Sequence, residues 1–238
     1  MTKDYFALLK KAKKGDCDAQ FNVGHYYYRL REFKKAYSWW LKCSKHNKYL
    51  GPLFNIGNLY YNGWGLKQDI KKALHYFQLV IKNENTFSPK KKNKYVDLAL
   101  YLIGKTYFEG TFVKKNKKKG LDFYKKAAMR GNTNAIYTLS LIYGNEEDGD
   151  YNFNKYIYYL KKTANAGLSM AHAELALVYF KKNKKLFSKH YKEAMKKDKK
   201  IIDKLELTSI ARDGLIFMTE SSRTKLKKLK LELQNSRK

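Results

Sequence analysis

The chain has 238 residues, 44% of them hydrophobic and 16% aromatic, and its 51 basic and 21 acidic residues give a formal net charge of +30. This apolar content is enough for a packed core, so the mean hydropathy of −0.68 reflects surface lysine and not disorder. No stretch reaches the roughly 18 uncharged apolar residues of a membrane helix, and the N-terminus lacks the apolar segment of a secretory signal. We expect no transmembrane segment and a cytoplasmic location, which does not exclude delivery into a host cell.

The first predicted element is a helix within residues 1–15. Leu8, Leu9 and Ala12 take its apolar positions, and Gly15 is placed to end it in the left-handed conformation. The pattern corresponds to the second helix of each repeat unit that follows, without a first helix before it. We therefore expect residues 1–15 to form an N-terminal capping helix.

Five copies of one frame follow, each with a small residue after an aliphatic one and a tyrosine three positions later. The small residues and their tyrosines are Gly24 and Tyr27, Gly57 and Tyr60, Gly104 and Tyr107, Ser140 and Tyr143, and Ala176 and Tyr179. The small residues are spaced by 33, 47, 36 and 36 positions. A period of this size predicts stacked helical hairpins, because each unit has an apolar face that only its neighbour covers.

The predicted hairpins occupy residues 16–47, 48–94, 95–131, 132–167 and 168–198. In each of them a first apolar stripe is followed by a second, in which small residues alternate with aromatic ones at helical spacing. Pro52 is compatible with a first helical turn, where its missing N–H has no intrahelical acceptor to lose. The long spacing comes from an insertion around Pro89, which we interpret as a solvent loop, although such loops also lie near binding surfaces.

Residues 199–238 are predicted to form two more helices and a basic tail. Leu226, Leu229 and Leu233 give the last helix a narrow apolar stripe. Because the end of a stack exposes apolar surface, we interpret these helices as a C-terminal cap. A partner-binding amphipathic helix is the alternative.

The second copy carries the most specific motif, from Ile56-Gly57 through Tyr60, Gly63-Trp64-Gly65 and Asp69 to Lys72-Ala73. This pattern resembles the Sel-one-like repeat (SLR), a relative of the tetratricopeptide repeat, over roughly residues 5 to 198. The resemblance implies an all-α fold: a right-handed α-α superhelix of about five helical hairpins with capping helices at both ends. It also implies an adaptor that holds other proteins, in roles such as effector, regulator or toxin-neutralising protein.

Basic residues crowd the turn between the two predicted helices of several units. Because equivalent turns of a stacked array share an edge, these runs predict a basic ridge for an acidic protein partner or a polyanion. Only six of the 51 basic residues are arginine, and lysine lacks the bidentate fork that reads phosphate, so nucleic acid is the less favoured partner. The candidate binding residues are Arg29, Lys34, Trp64, Lys67, Lys114, Lys117, Lys182 and Lys185.

Signals for chemistry are weak. Cys17 and Cys43 are too few for a disulfide framework and lack metal-binding spacing, so we expect two reduced thiols. The His172-Ala-Glu174 segment has the His-x-Glu of zinc deaminases without the Pro-Cys-x-x-Cys that completes their metal shell. We therefore expect no cofactor, no metal and no enzymatic activity. The favoured function is a protein-interaction scaffold; the alternatives are a basic nucleic-acid-binding protein and, less favoured, a hydrolytic enzyme.

Overall fold

The computed structural model describes residues 3–45, 49–84, 93–145, 149–179 and 182–197, and all regular structure within these ranges is helical. The helices are α1 (Lys3–Lys13), α2 (Cys17–Arg29), α3 (Phe33–Ser44), α4 (Leu50–Asn62), α5 (Ile70–Lys82), α6 (Lys94–Glu109), α7 (Lys117–Met129), α8 (Thr133–Gly144), α9 (Phe153–Asn165), α10 (Ser169–Tyr179) and α11 (Lys184–Lys197). The predicted all-α class built from helical hairpins is confirmed. The C-terminal helices predicted at 199–238 and the loop around Pro89 lie outside the described residues.

The helices divide into two compact units, Met1–Arg130 and Gly131–Lys238. In unit 1, α1 packs on α2, and the pairs α2–α3, α4–α5 and α6–α7 form three successive hairpins. In unit 2, α8–α9 and α10–α11 form two more. None of the described helices has the length and apolar content needed to cross a membrane.

The small residue of the repeated frame is the point where the two helices of a hairpin meet most closely. A Cβ at Gly57 would lie 2.8 Å from the Phe77 ring, and one at Gly104 would lie 2.9 Å from the Tyr124 ring. Gly24 packs against the indole of Trp40 in the same way. Since interiors are packed as densely as organic crystals, each ring fills the space that the missing side chain leaves.

Asparagine and aspartate begin most of the described helices. Their side-chain oxygens accept from a backbone N–H of the first turn at 2.8–3.0 Å, at Asp16, Asp69, Asn93, Asn116, Asn132, Asn152 and Asn183. Each such bond satisfies one of the donors that a helix start leaves without a partner. Pro52 lies in the first turn of α4, as its chemistry predicts.

Helix α1 covers the outer side of the first hairpin. Its Leu8 and Leu9 pack against the cluster of Ala12, Ala19 and Val23. The helix ends at Lys13, and the chain then turns through Gly15 at φ +96°. These apolar positions of α1 are the ones that the sequence predicts for a cap.

The expectation of two reduced thiols is wrong, because the structure joins Cys17 and Cys43 in a disulfide. Cys17 is the first residue of α2 and Cys43 lies in the last turn of α3. An antiparallel hairpin brings the start of its first helix beside the end of its second, so the two buried sulfur atoms meet. The disulfide therefore fastens the open end of the first hairpin.

Candidate functional site

The two helices of each hairpin in unit 1 are joined by a turn. We call residues 30–32 turn 1, residues 63–69 turn 2 and residues 110–116 turn 3, and together with the helical turns that follow them they form the turn edge. Each turn is closed by the same backbone bond, from the N–H of the residue before the second helix to the carbonyl of the frame tyrosine. These bonds are Glu32 to Tyr27 (2.9 Å), Asp69 to Tyr60 (3.0 Å) and Asn116 to Tyr107 (2.8 Å).

A lysine in the third position of the second helix lies over the ring of the same tyrosine. The lysine–tyrosine pairs of unit 1 are Lys35 and Tyr27 at 5.3 Å, Lys72 and Tyr60 at 5.3 Å, and Lys119 and Tyr107 at 3.9 Å from nitrogen to ring centroid. Unit 2 holds a fourth pair, Lys155 and Tyr143, at 4.9 Å. A cation over an aromatic face is attracted by the ring quadrupole, by about 0.5–1 kcal/mol at an exposed site.

Two of these tyrosines in unit 1 also lie parallel to an aromatic ring of the second helix. Tyr60 is stacked with Tyr76 and Tyr107 with Phe123, with interplanar angles of 13° in both cases. Each of these two tyrosines thus contacts both a helix ring and a lysine. Because the lysine is positioned before any partner arrives, less side-chain entropy is lost on binding.

The charge around these lysines differs from turn to turn. Glu32 forms an ion pair with Lys35 and raises the pKa of that ammonium group. Asp69 lies 3.5 Å from Lys72, and the backbone N–H and charge of that lysine lower the pKa of its carboxyl group. In turn 3 the equivalent residue is Asn116, which makes the same cap bond without a negative charge. The net positive charge of the turn edge is therefore highest at turn 3.

The sequence profile of the Sel1 repeat matches residues 17–47, 53–83 and 97–132, which are the three hairpins of unit 1. These three hairpins are Sel1 repeats. Proteins built from Sel1 repeats are generally scaffolds for protein–protein interaction and are typically not catalytic. A comparison with curated proteins found no match.

Two solved structures show the same fold. A Sel1 repeat protein from Oxalobacter formigenes has 20% identity and a TM-score of 0.63, with 95% of this chain and 96% of that one covered. A protective antigen of uropathogenic Escherichia coli, described as displaying an SLR fold, has 22% identity and a TM-score of 0.66 over 86% of this chain. This chain spans 44% of the length of that antigen.

The turn edge of the Sel1 repeats contains most of the predicted site residues. The exposed ones in unit 1 are Arg29 and Lys34 beside turn 1, Lys67 in turn 2, and Lys114 and Lys117 in and after turn 3. Lys182 and Lys185 belong to unit 2, where they are exposed beside the start of α11, and the Lys182 ammonium lies 5.4 Å from the Phe153 ring centroid. Whether any of these residues binds a partner stays a prediction.

Trp64 is half exposed and does not fold onto its own hairpin. Its ring stacks on Phe33 at 5.6 Å and an angle of 22°, and it lies 5.9 Å from the Tyr28 ring. Gly65 allows this contact, since a Cβ there would lie 2.6 Å from the Cβ of Phe33. Trp64 therefore connects turn 2 to turn 1, and 39% of its surface remains accessible.

Sequence reasoning grouped Lys35, Lys72 and Lys119 with their basic neighbours and missed Lys155. The signal was present, because each lysine stands immediately before the first stripe residue of its second helix. Phe112 in turn 3 was also missed: it is 67% exposed and has φ +65°. No sequence rule predicts that conformation for phenylalanine.

The His172-Ala-Glu174 segment does not form one site. The Glu174 carboxylate accepts hydrogen bonds from the hydroxyls of Tyr137 at 2.7 Å and Tyr156 at 3.4 Å, and its burial raises the pKa to about 7. His172 instead lies with its Nδ1 3.0 Å from Nδ1 of His190, whose pKa is lowered to about 4 chiefly by burial. Over the described ranges, no group of three or more potential metal ligands is found.

Proposed function

We propose that this Sel1 repeat protein is an interaction scaffold that binds an acidic surface of a partner protein along the turn edge of unit 1. The observation that supports this proposal is the repetition of one lysine–tyrosine pair in three successive turns. The lysines stand in equivalent positions of stacked hairpins, so their charges follow one another at the spacing of the repeat. A partner with carboxylates at a similar spacing meets an array that is already formed.

The rigidity of the turns supports the same function. Each turn is closed by a backbone bond to the frame tyrosine, and turns 1 and 2 are joined through Trp64 and Phe33. A surface that is rigid before binding loses little conformational entropy when the partner docks. Charge complementarity then raises the association rate and makes it dependent on salt.

A protein partner is favoured over nucleic acid by the residue types on the turn edge. The edge presents lysine ammonium groups, which are strongly hydrated point charges, whereas planar bidentate recognition of phosphate uses arginine. Tyr60 and Tyr107 each contact a lysine and a parallel helix ring, which leaves less ring surface on which a base could stack. We further propose that the protein is not catalytic.

The proposal is tested by affinity capture from a nuclease-treated lysate of the source cells at about 0.15 M salt, where surface charges act over about 8 Å. The edge variant carries Lys35→Ala, Lys72→Ala and Lys119→Ala, the three lysines paired with the frame tyrosines. The control variant carries Lys11→Ala, Lys42→Ala and Lys126→Ala, three exposed lysines that lie away from the turns. Both variants lose three positive charges, so a general charge effect changes them equally.

We expect a stoichiometric protein that the wild type and the control variant retain and the edge variant loses. Equal retention by both variants would show that the turn edge is not the binding surface. Recovery of material that disappears after nuclease treatment would instead support the nucleic-acid alternative.

A further inference from the structure

Turn 3 differs from the other two turns of unit 1 in three respects that concern binding. Its apolar side chain, Phe112, is 67% exposed, against 52% for Leu30 in turn 1 and 39% for Trp64 in turn 2. It also has no carboxylate at the helix cap and carries more lysines than the other turns. We propose that turn 3 is the main docking point for an acidic, extended segment of a partner protein that carries an apolar residue between carboxylates. This inference rests on the proposed function and assigns both the place and the chemistry of the contact.

The apolar contact is Phe112. Its side chain is 67% exposed and makes no ring contact with any other residue in the part of the chain that the structure describes. Its φ of +65° lies in the left-handed region, which costs a residue other than glycine roughly 1–2 kcal/mol. A strained backbone that holds a phenylalanine ring in water adds no packing to the hairpin. The arrangement is typical of an anchor that a partner covers.

The charge of the turn that carries Phe112 is positive. Lys114, Lys115 and Lys118 are exposed, and Lys119 is held over the Tyr107 ring at 3.9 Å. Asn116 takes the position that Glu32 and Asp69 occupy in the other turns, so the cap contributes no negative charge. Carboxylates that flank an apolar partner residue therefore find cations on the same turn.

The two acidic residues nearest in sequence do not neutralise this group. Glu109 is half-buried, where burial raises the pKa of its carboxyl group, and its single charge is outnumbered by the five lysines at positions 114, 115 and 117–119. Asp122 is exposed one helical turn after Lys118 and forms no salt bridge within the described ranges. Turn 3 thus keeps its net positive charge at neutral pH.

Turn 3 is also rigid. The backbone N–H of Gly110 donates to the Thr106 carbonyl at 3.1 Å, and the backbone N–H of Asn116 donates to the Tyr107 carbonyl at 2.8 Å. Gly110 has φ +74°, and a Cβ there would lie 2.8 Å from Cα of Lys115. The backbone at both ends of the turn is therefore held, which limits the movement of the segment that carries Phe112.

A single free ring favours a peptide over a single-stranded nucleic acid. Strand-binding grooves stack successive bases on several aromatic side chains, and the loss of each costs about 1–3 kcal/mol. Here the neighbouring Tyr107 already contacts Lys119 and Phe123. One exposed ring among cations matches one apolar side chain among carboxylates.

The test is fluorescence anisotropy with the full chain and two labelled dodecapeptides, both of glutamate except at one central position, which is leucine in the first and glycine in the second. An oligothymidylate of equal charge is the third probe. We expect the leucine peptide to bind about five- to tenfold more tightly than the glycine peptide, from partial burial of one leucine against a ring. Phe112→Gly should remove this difference, and since glycine adopts the required φ without strain, the variant should fold at least as well as the wild type.

Two paired variants locate the charge. Lys114→Gln with Lys118→Gln should weaken both peptides at least fivefold, and Lys67→Gln with Lys71→Gln in and after turn 2 should change binding less than twofold. Equal losses in the two pairs would overturn the preference for turn 3 and leave the proposed scaffold standing. A leucine preference that survives Phe112→Gly would overturn the role of the ring. Binding of the oligothymidylate without binding of either peptide would overturn the inference and the proposed function together.

Discussion

Gly120 offers a substitution for which sequence and structure predict opposite signs. It is the fourth residue of α7, and the equivalent residues of the two preceding hairpins are the buried alanines Ala36 and Ala73. A comparison of the repeats alone therefore recommends Gly120→Ala. In a helix, replacing glycine by alanine stabilises by about 1 kcal/mol, because glycine loses more backbone entropy on folding.

The structure predicts the reverse. A Cβ at Gly120 would lie 2.6 Å from the backbone nitrogen of Phe108, 2.7 Å from its Cβ and 2.8 Å from the carbonyl oxygen of Gly104. Two of these three atoms belong to the backbone and cannot move away by a side-chain rotation. Overpacking of a core costs about 1–3 kcal/mol, and backbone contacts favour the upper value. With the gain in helix propensity subtracted, we expect unit 1 to lose about 2 kcal/mol.

The assay is urea unfolding followed by tryptophan fluorescence. All three tryptophans, Trp39, Trp40 and Trp64, lie in unit 1, so the signal reports on that unit within the full chain. Gly120→Ala should lower the midpoint without a change in slope, since the surface exposed on unfolding is unchanged. Ala73→Gly is the matched control. It should also lower the midpoint, through a loss of about 1 kcal/mol in the free energy of unfolding. A Gly120→Ala midpoint equal to or above the wild type would refute the close approach of α6 and α7.

Three further predictions concern the disulfide, the connecting tryptophan and the buried acid. Reduction of the Cys17–Cys43 bond should lower the free energy of unfolding of unit 1 by about 3 kcal/mol, since the bond closes a loop with a sequence separation of 26. Equal unfolding midpoints with and without reductant, followed by tryptophan fluorescence, would contradict this. Trp64→Ala should lower the free energy of unfolding of unit 1 by about 1–2 kcal/mol, because stacking and burial are lost, and should leave partner capture unchanged. A loss of capture at unchanged stability would make Trp64 a partner anchor instead. The pKa of Glu174 is higher in the folded state than in the unfolded state. The stability that the protonated carboxyl group contributes is therefore complete below about pH 4.5 and is lost as the pH rises through about 7. Hydrogen exchange of the peptides from α8 to α10 should therefore quicken between pH 5 and pH 8, after correction for intrinsic rates, more in the wild type than in Glu174→Gln, and identical profiles would refute the raised pKa.

The repeated frame made the hairpins predictable from sequence. Its small residues identify where the two helices of a hairpin approach each other. Each of them leaves space on one helix that a large side chain of the other helix fills. Gly57 against Phe77 and Gly104 against Tyr124 follow that rule. The register of the lysine–tyrosine pairs was also available, since the lysine directly precedes the first stripe residue of the second helix.

The remaining features depend on geometry that a linear pattern does not contain. The bond between Cys17 and Cys43 follows from pairing the two ends of one hairpin, and the counting of cysteine spacings overlooks it. The stacking of Trp64 on Phe33 crosses from one hairpin to another. The left-handed conformation of Phe112 is a backbone property that its residue type argues against.

The residue that caps the second helix of each hairpin has a further consequence. Asp69, Asn116 and Asn152 accept the same backbone bond at 2.9–3.0 Å, although the first carries a charge and the other two do not. Replacement of one carboxylate oxygen by an NH₂ group at this position therefore changes the local charge by one elementary unit and leaves the helix start intact. Two hairpins of unit 1, at Asp69 and Asn116, and one hairpin of unit 2, at Asn152, provide such a position. Under the proposed function, exchange of aspartate and asparagine at these caps should change the charge that a partner meets one turn at a time, with little effect on folding.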